Sequence, residues 1–391
     1  MKKILCCLLC VATMAVPFAG MASAEEAADV AVPADTGALQ LDAASAVLME
    51  YETGKILYEQ NPDEKLPPAS ITKIMTLLLV MEAIDSGKLT LDEMVTTSER
   101  AAGMGGSQIF LKVGEQMSVR DMVKSVVIAS ANDAAAALAE HLCGSVEAFV
   151  EQMNAKAAAL GMENSHFENT NGLDDTTVNH YTSARDVAIM SRALIAHPLI
   201  LEFSSIWMDS VRGGAFGLTN TNRLVRFYPG ATGLKTGSTA KAKFCISATA
   251  KRNGMHLIAV VMGSPTRDIR NEEAKKLLDY GFANYALYHA DGAAVGELPV
   301  KGGVQDICSV KTDGFSALVK KEFSSGVTRH MEMPDELRAP VEKGCQVGKI
   351  SYYAGDELIG EEPITAAEDI AAISFGELFA RMLRNAFFAA A

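Results

Sequence analysis

Segments with strand-like patterning lie on both sides of a long helical region, and this arrangement limits the folds open to the chain. The early segment Ala43–Met49 is followed by a Gly-containing turn and Lys55–Tyr58, which predicts a hairpin. The late segments Lys243–Thr249 and His256–Met262 flank Arg252-Asn253-Gly254, a second hairpin pattern. We expect one antiparallel sheet built from early and late strands with a helical part inserted between them, and hence an α+β fold.

The inserted region carries apolar residues at helical spacing. Pro67-Pro68 precede a segment that runs from Ser70 to about Ile84, and proline followed by serine is typical of a helix start. Further helical patterns cover residues 118–129, 133–142, 146–160 and 183–196, and a last one runs from Arg267 to Tyr285.

The chain of 391 residues is long enough for two domains with sizeable cores. Residues 41–288 contain the predicted sheet and helices and form the first domain. Beyond residue 290, short strand-like pieces alternate with Gly-containing turns up to Thr365. Residues 289–365 therefore predict a small C-terminal β domain.

Residues 1–24 have the pattern of a secretory signal peptide. Two lysines are followed by an apolar stretch, and Ala22-Ser23-Ala24 provides an A-x-A cleavage site. The alternative is an uncleaved anchor, for which the apolar stretch is short. Residues 25–40 are predicted to be a linker. We therefore expect export to the outer face of the cytoplasmic membrane or the cell-wall space.

The last segment, residues 366–391, again has helical periodicity. Four charges between Asp369 and Arg384 argue against a membrane-spanning helix. The pattern favours an amphipathic helix that lies on a membrane surface, and the alternative is a helix docked on the protein. The apolar positions are Ile370, Ile373, Leu378, Phe379, Met382, Leu383 and Phe387.

Charge and cysteine content narrow the function classes. A net charge of −13 with no Lys/Arg-rich run disfavours nucleic-acid binding. Four cysteines remain after the predicted signal, and both a Cys308–Cys345 bridge and four free thiols are compatible with export. These four cysteines include no C-x-x-C pair, and the chain has no phosphate loop or dinucleotide fingerprint, so we expect no metal and no cofactor.

Ser70 and Lys73 are the first candidates for chemistry. Residues three apart share a helix face, so the hydroxyl and the amine can meet. A lysine whose pKa is lowered by burial or a nearby cation can remove the proton of a serine nucleophile. The pair alone is weak, because Ser238 and Lys241 repeat the same S-x-x-K spacing.

Two further triplets follow in order and strengthen the signal. Ser130-Ala131-Asn132 lies between two helical segments, and Lys235-Thr236-Gly237 precedes the strand segment that starts at Lys243. S-x-x-K, S-x-N and K-T-G in this order are the motif set of serine β-lactamases and penicillin-binding proteins.

Over nearly its whole length the sequence resembles the serine penicillin-recognising enzymes. It is most similar to low-molecular-mass penicillin-binding proteins of the D-alanyl-D-alanine carboxypeptidase type. The fold expected from the resemblance is a β-lactamase/transpeptidase-like domain followed by the small β domain and the amphipathic tail. The matching segments are Pro67–Thr76, Asn169–Asp174, His180–Asp186, Asn220–Leu224 and Gly233–Gly237.

The resemblance implies a role for each motif residue. Ser70 would attack the carbonyl between two terminal D-alanines of a peptidoglycan stem peptide, Lys73 would take its proton, and Ser130 would relay a proton to the leaving nitrogen. Asn132 would position Lys73 and the substrate amide. The remaining residues would bind substrate, with Lys235 and Thr236 on the terminal carboxylate, Gly237 giving close approach, and the backbone N–H groups of Ser70 and Ser238 forming the oxyanion hole. β-Lactams would acylate Ser70.

Other functions remain open at this point. A β-lactamase shares the three motifs, although Ala131 stands where many β-lactamases have aspartate, and neither Glu163 nor Glu168 lies in a pattern that marks a deacylating base. A D,D-endopeptidase would use the same residues on cross-links. The alternative from another class is an inactive, membrane-tethered wall-binding protein.

Overall fold

The computed structural model describes residues 39–175 and 177–388, with the backbone only for residues 385–388. The predicted signal peptide and most of the predicted linker lie outside these residues. A five-stranded antiparallel sheet in the order β2-β1-β9-β8-β7 is the frame of the larger domain. Its strands are β1 (Ser45–Glu50), β2 (Ile56–Gln60), β7 (Ala231–Thr239), β8 (Lys243–Arg252) and β9 (Met255–Ser264).

Both predicted hairpins are present. Strand β1 pairs with β2, and Leu48 lies opposite Tyr58. Strand β8 pairs with β9, and Arg252 lies opposite Met255 across the Asn253-Gly254 turn. The early hairpin joins the late one because β1 also pairs with β9 along its whole length. The predicted merging of early and late strands into one sheet is thus confirmed.

The inserted region is mainly helical. The predicted helices occur with end shifts of a few residues, and two short hairpins and the small helices α2, α7 and α8 were not predicted. The helices are α1 (Lys73–Asp85), α2 (Glu99–Ala102), α3 (Val119–Ile128), α4 (Asn132–Cys143), α5 (Val146–Ala159), α6 (Ala184–Ile195), α7 (Pro198–Ser204), α8 (Leu224–Phe227) and α9 (Arg267–Asn284). The hairpin strands are β3 (Met94–Thr96), β4 (Gln116–Ser118), β5 (Met208–Val211) and β6 (Phe216–Thr219).

Helices cover both faces of the five-stranded sheet. On one face α6 packs against β1 and β9, and α1 packs against α6. On the other face α9 packs against β8 and β9. Alternate residues of a strand point to opposite faces, so Val47 belongs to the apolar core of the first face and Leu48 to that of the second. The sheet is therefore buried on both sides and holds its edge strand β7 in a fixed position.

The C-terminal region forms the predicted small β domain. Its six-stranded sheet has the order β14-β16-β17-β12-β11-β15, and β10 and β13 form a separate pair. The strands are β10 (Tyr285–Asp291), β11 (Ala294–Lys301), β12 (Ile307–Lys311), β13 (Gly314–Lys320), β14 (Val327–Glu332), β15 (Leu337–Arg338), β16 (Gln346–Ala354) and β17 (Glu357–Ala366).

The C-terminal helix α10 (Phe375–Phe388) begins nine residues later than the sequence pattern indicated. Ile370, which fits the helical periodicity, instead pairs with Val341 and is buried in the β domain. Backbone pairing and burial in the β domain thus override the periodicity at this position. The described apolar side chains of α10 that are exposed are Phe375, Leu378, Phe379, Met382 and Leu383.

Cys308 and Cys345 lie in one apolar cluster of the β domain, and all four cysteines of the described chain carry free thiols. The sequence left open a Cys308–Cys345 disulfide or four free thiols, and the structure has free thiols.

No single helix among the described residues is long and apolar enough to cross a membrane. Helices α6 and α7 reach that length and hydropathy only together, as a pair bent by 105°.

Candidate active site

Ser70 lies in a short 3₁₀ turn, Ala69–Thr72, that leads directly into α1. Pro68 precedes this turn, and Ala69 has a left-handed φ of +48°. Lys73 is the first residue of α1 and therefore follows Ser70 by one turn. Its Nζ atom lies 2.9 Å from Ser70 Oγ and 2.9 Å from the carbonyl oxygen of Asn171. The predicted pairing of hydroxyl and amine is present.

Lys73 is completely buried, and this burial changes its acid–base chemistry. Desolvation lowers the pKa of Lys73 well below its ordinary value, and the nearby positive charge of Lys235 lowers it further. The Asp133 carboxylate opposes this shift but is the smallest of the three effects on the pKa of Lys73. A neutral amine 2.9 Å from a serine hydroxyl is placed to accept its proton.

Ser130 and Asn132 occupy the connection between α3 and α4. Ser130 has a left-handed φ of +63°, and Asn132 is the first residue of α4 rather than a loop residue. The Asn132 Nδ2 group donates to the carbonyl oxygen of Gly105 at 2.7 Å. Its Oδ1 atom is buried and has no hydrogen-bond partner in the described part of the chain. A buried acceptor without a partner is costly, so this oxygen is prepared to receive an N–H group from a ligand.

Lys235 and Thr236 lie within β7, a separate strand that the sequence pattern did not predict ahead of the one starting at Lys243. The Nζ atom of Lys235 lies 3.0 Å from Ser130 Oγ and so links the second and third motifs. Desolvation, with a contribution from the positive charge of Arg270, lowers the pKa of Lys235 to about 7. The Thr236 hydroxyl donates to Thr221 Oγ1 at 2.8 Å.

Gly237 allows β7 to pass close to the nucleophile. A Cβ atom at this position would lie 2.9 Å from the carbonyl oxygen of Pro68 and 3.0 Å from the nitrogen of Ser70. Real Cβ atoms rarely make contacts this short with backbone. The glycine of the K-T-G triplet is therefore needed to bring the edge strand against the Ser70 turn.

These motifs border one cleft of about 610 Å³. Besides Ser70, Ser130, Thr236, Gly237 and Ser238, the lining includes two aromatic residues and three arginines, namely Trp207, Phe227, Arg223, Arg267 and Arg270. Every charged residue that lines this cleft is an arginine, so an anionic ligand is favoured in a protein whose net charge is −13.

Arg270 is the main site residue that the sequence did not reveal. Its side chain is only 3% exposed, yet its hydrogen bonds go to neutral oxygens, those of Asn271 and of the Cys245 carbonyl group. Desolvation lowers the pKa of Arg270 to about 10, which leaves the guanidinium charged at neutral pH. The one available sequence signal is its position three residues after Arg267, which places both arginines on one face of α9.

One predicted contact is absent. The resemblance assigns the positioning of Lys73 to Asn132, whereas the Lys73 amine is held by the backbone carbonyl of Asn171. The Asn132 amide turns to Gly105 instead. A backbone acceptor has no side-chain signature, so sequence reasoning could not single it out.

Three other residues considered in the sequence analysis do not line the cleft, namely Lys241, Glu163 and Glu168. Lys241, from the second S-x-x-K, donates to the carbonyl oxygen of Asp174, whereas Ser238 lines the cleft. The Glu168 carboxylate accepts from the backbone of Val178 and Asn179, and so holds a loop together. Glu163 is exposed.

The fold and this site together are those expected of a serine acyl-transfer enzyme, with a lysine amine rather than a histidine ring beside the serine hydroxyl. The profile of the family described as D-alanyl-D-alanine carboxypeptidase matches residues 30–266, and that of the penicillin-binding protein 5 C-terminal domain matches residues 282–372. The chain belongs to the D-alanyl-D-alanine carboxypeptidase family.

Individual relatives are consistent with this family assignment. The D-alanyl-D-alanine carboxypeptidase DacF of Bacillus subtilis is 44% identical over 347 residues, which cover 87% of this chain and 89% of that protein. Penicillin-binding protein 5 of Haemophilus influenzae has a similar structure, with a TM-score of 0.76 and 35% identity, covering 85% of this chain and 98% of that one. Penicillin-binding protein D2 of Listeria monocytogenes, solved with cefotaxime bound, gives a TM-score of 0.58 at 35% identity over 62% of this chain and 98% of that one.

Proposed function

We propose that this serine-type D-alanyl-D-alanine carboxypeptidase removes the terminal D-alanine of peptidoglycan stem peptides through an acyl-enzyme on Ser70. The observation that carries the proposal is the buried Lys73 amine, 2.9 Å from Ser70 Oγ, beside a cleft lined by three arginines that form no ion pair within the described part of the chain. The first feature supplies a nucleophile and its base, and the second a receptor for a terminal carboxylate.

Acylation uses Ser70, Lys73 and Ser130. Ser70 Oγ attacks the carbonyl carbon of the last peptide bond as its proton passes to Lys73 Nζ. The oxyanion that forms accepts from the backbone N–H groups of Ser70 and Ser238. Ser130 donates its proton to the leaving D-alanine nitrogen and is reprotonated from Lys73 or Lys235, the latter 3.0 Å from its hydroxyl. The C–N bond then breaks, and free D-alanine departs.

Substrate orientation falls to the other residues. The terminal carboxylate binds Lys235 and Thr236, together with Arg270, whose charge is unpaired by any carboxylate in its hydrogen bonds. The substrate amide N–H donates to Asn132 Oδ1, the buried acceptor that has no partner among the described residues. These contacts place the scissile carbonyl over Ser70.

Hydrolysis of the acyl-enzyme by water completes the cycle. Neither Glu163 nor Glu168 lines the cleft, and the Glu168 carboxylate is bound to backbone N–H groups, so we assign neither as a base for this step. We infer that β-lactams acylate Ser70 and leave slowly. The cefotaxime-bound form of the Listeria relative supports β-lactam binding.

The decisive experiment is incubation of the protein with a peptide that ends in D-Ala-D-Ala, followed by mass measurement of the product. Loss of one alanine supports the proposal. Cleavage of cross-linked dimers without loss of alanine would indicate an endopeptidase, and rapid turnover of penicillin a β-lactamase. Ser70→Ala should abolish covalent labelling by a fluorescent penicillin, and persistent labelling would place the nucleophile elsewhere.

We further propose that the protein is exported and bound to the membrane surface through α10. The exposed apolar side chains of α10, such as Phe379 and Met382, support this. Transfer of water-facing phenylalanine and methionine side chains into a membrane interface is favourable. Arg381 in the same helix forms an ion pair with Asp306 of the β domain. This contact directs one face of α10 to the protein and leaves the apolar side chains free.

A further inference from the structure

A chain of hydrogen bonds lies behind the nucleophile and involves Thr72 and His180. The Thr72 hydroxyl donates to the carbonyl oxygen of Ala69 at 2.8 Å and lies 2.8 Å from Nε2 of His180. The backbone N–H of Glu168 donates to Nδ1 of His180 at 3.0 Å. Because Nδ1 is an acceptor, the ring proton is on Nε2, which therefore donates to Thr72.

The environment of His180 maintains this direction. The ring is 8% exposed and packs edge-on against Phe167. Burial lowers the pKa of His180 to about 4, so the ring is neutral at neutral pH and keeps Nδ1 free to accept. Every hydrogen bond in the chain then has the same direction. The Glu168 N–H donates to His180, His180 donates to the Thr72 hydroxyl, and that hydroxyl donates to the carbonyl oxygen of Ala69.

The Ala69–Ser70 peptide connects this chain to the reaction. The peptide is planar and trans, so the Ala69 carbonyl and the Ser70 N–H point in opposite directions. Fixing the carbonyl on one side fixes the direction of the N–H on the other side. That N–H lies beside β7, since a Cβ atom at Gly237 would be 3.0 Å from the Ser70 nitrogen. Support is needed here because Ala69 has a φ of +48°, which is strained for a residue with a side chain.

We propose that His180 is a positioning residue that orients and polarises the Ser70 N–H through the Thr72 hydroxyl. The inference rests on the proposed function, in which this N–H stabilises the oxyanion. Hydrogen bonds in series strengthen one another, so the effect grows as negative charge develops on the substrate oxygen. His180 therefore acts on the transition state and little on substrate binding.

Two substitutions separate the two ring nitrogens. His180→Asn keeps an acceptor near the position of Nδ1 and removes the donor to Thr72, whereas His180→Gln places an amide donor near the position of Nε2. With a D-Ala-D-Ala peptide, His180→Asn should lower kcat by about tenfold and leave KM within about twofold, because only the oxyanion donor is weakened. His180→Gln should retain most of the activity. Thr72→Val should likewise lower kcat, whereas Thr72→Ser, which keeps the hydroxyl, should retain most of the activity.

A peptide boronic acid supplies the readout that a merely structural role would not change. Its boronate oxygen occupies the oxyanion position, so its inhibition constant should rise in His180→Asn by the factor that kcat falls. His256 provides the matched control, because it is also buried and its Nε2 lies 2.9 Å from the Thr232 hydroxyl, away from the Ser70 turn. His256→Asn should leave kcat and boronate affinity unchanged.

Two results would overturn the inference. One is a lower melting temperature for His180→Asn with unchanged kcat and boronate affinity. The other is an equal loss in His180→Asn and His180→Gln. Neither affects the proposed function, which instead fails if Ser70→Ala still forms a covalent penicillin adduct.

Discussion

The Nζ atom of Lys235 lies 3.0 Å from the hydroxyl oxygen of Ser130, and both groups are buried at the cleft. This contact joins a residue of the edge strand to the connection between two helices, 105 positions apart in sequence. In the proposed mechanism, Lys235 both binds the substrate carboxylate and can reprotonate Ser130.

Carboxylate binding should draw a proton onto Lys235. Its pKa is lowered to about 7 in the free protein, so near pH 8 most of the amine is neutral. A carboxylate beside it favours the charged form and raises this pKa, so affinity should fall as the pH rises above about 7. Calorimetry of peptide binding to Ser70→Ala, in buffers of different ionisation enthalpy, should detect proton uptake near pH 8. Binding without proton exchange from pH 6 to 9 would contradict this prediction.

Lys73→Ala should slow acylation by penicillin by about 10²- to 10⁴-fold, the usual contribution of a general base. The fold should persist, because the buried Asp133 carboxylate near Lys73 keeps its hydrogen bonds from backbone N–H groups. Lys241→Ala is the matched control, since Lys241 belongs to the second S-x-x-K and its amine donates to the Asp174 carbonyl oxygen rather than to a serine hydroxyl. Stopped-flow acylation and circular dichroism measure the two effects. Near-normal acylation by Lys73→Ala at neutral pH would remove Lys73 as the base.

Gly172→Ala should inactivate the protein far more than Gly161→Ala. Both glycines have a positive φ, +83° and +72°, so each alanine carries a backbone cost of about 1 kcal/mol. A Cβ at Gly172 would lie 1.7 Å from the carbonyl oxygen of Ala69, whereas nothing lies within 4 Å at Gly161. Only the first substitution must displace the Ser70 turn. Penicillin labelling rates and urea unfolding of both variants provide the comparison, and equal effects would be inconsistent with the close approach.

Acid should destabilise the protein through two buried histidines. Burial lowers the pKa of both His180 and His256 to about 4, against about 6.5 in the unfolded chain. Between these values the unfolded chain binds more protons, so stability is complete above pH 6.5 and falls as the pH drops to 4. Each histidine accounts for at most about 3 kcal/mol.

Urea unfolding of the wild type and of His256→Gln, from pH 7 to pH 4.5, tests this acid effect. The variant should show a smaller loss of stability between pH 6.5 and 4.5, because one of the two proton-binding groups is gone. An identical pH slope in both proteins would exclude His256 as a contributor.

Truncation after Ser374 should release the protein from membranes without loss of activity, because it removes only α10. Truncation after Thr365 should also destabilise the β domain, since it deletes Ile370, which is 1% exposed. Flotation on vesicles and peptide hydrolysis test both forms. Continued flotation of the form truncated after Ser374 would show that α10 is not the anchor.

Local spacing explains why much of the site could be predicted. Ser70 and Lys73 meet because residues three apart share a helical face, and the Asn253-Gly254 turn positions its own flanking strands. Ile370 shows the limit of such reasoning. Its helical periodicity is genuine, but pairing with Val341 across the β domain decides its structure.

The sequence by itself determined the nucleophile pair, the order of the three motifs, the α+β fold class and the small β domain, because these depend on neighbours in the chain. Tertiary structure alone decided that Asn171 holds Lys73, that Arg270 enters the cleft, and that His180 lies behind the Ser70 turn. It also decided the acid–base state of Lys73, since a lysine pKa falls only when distant segments exclude water and bring another cation close.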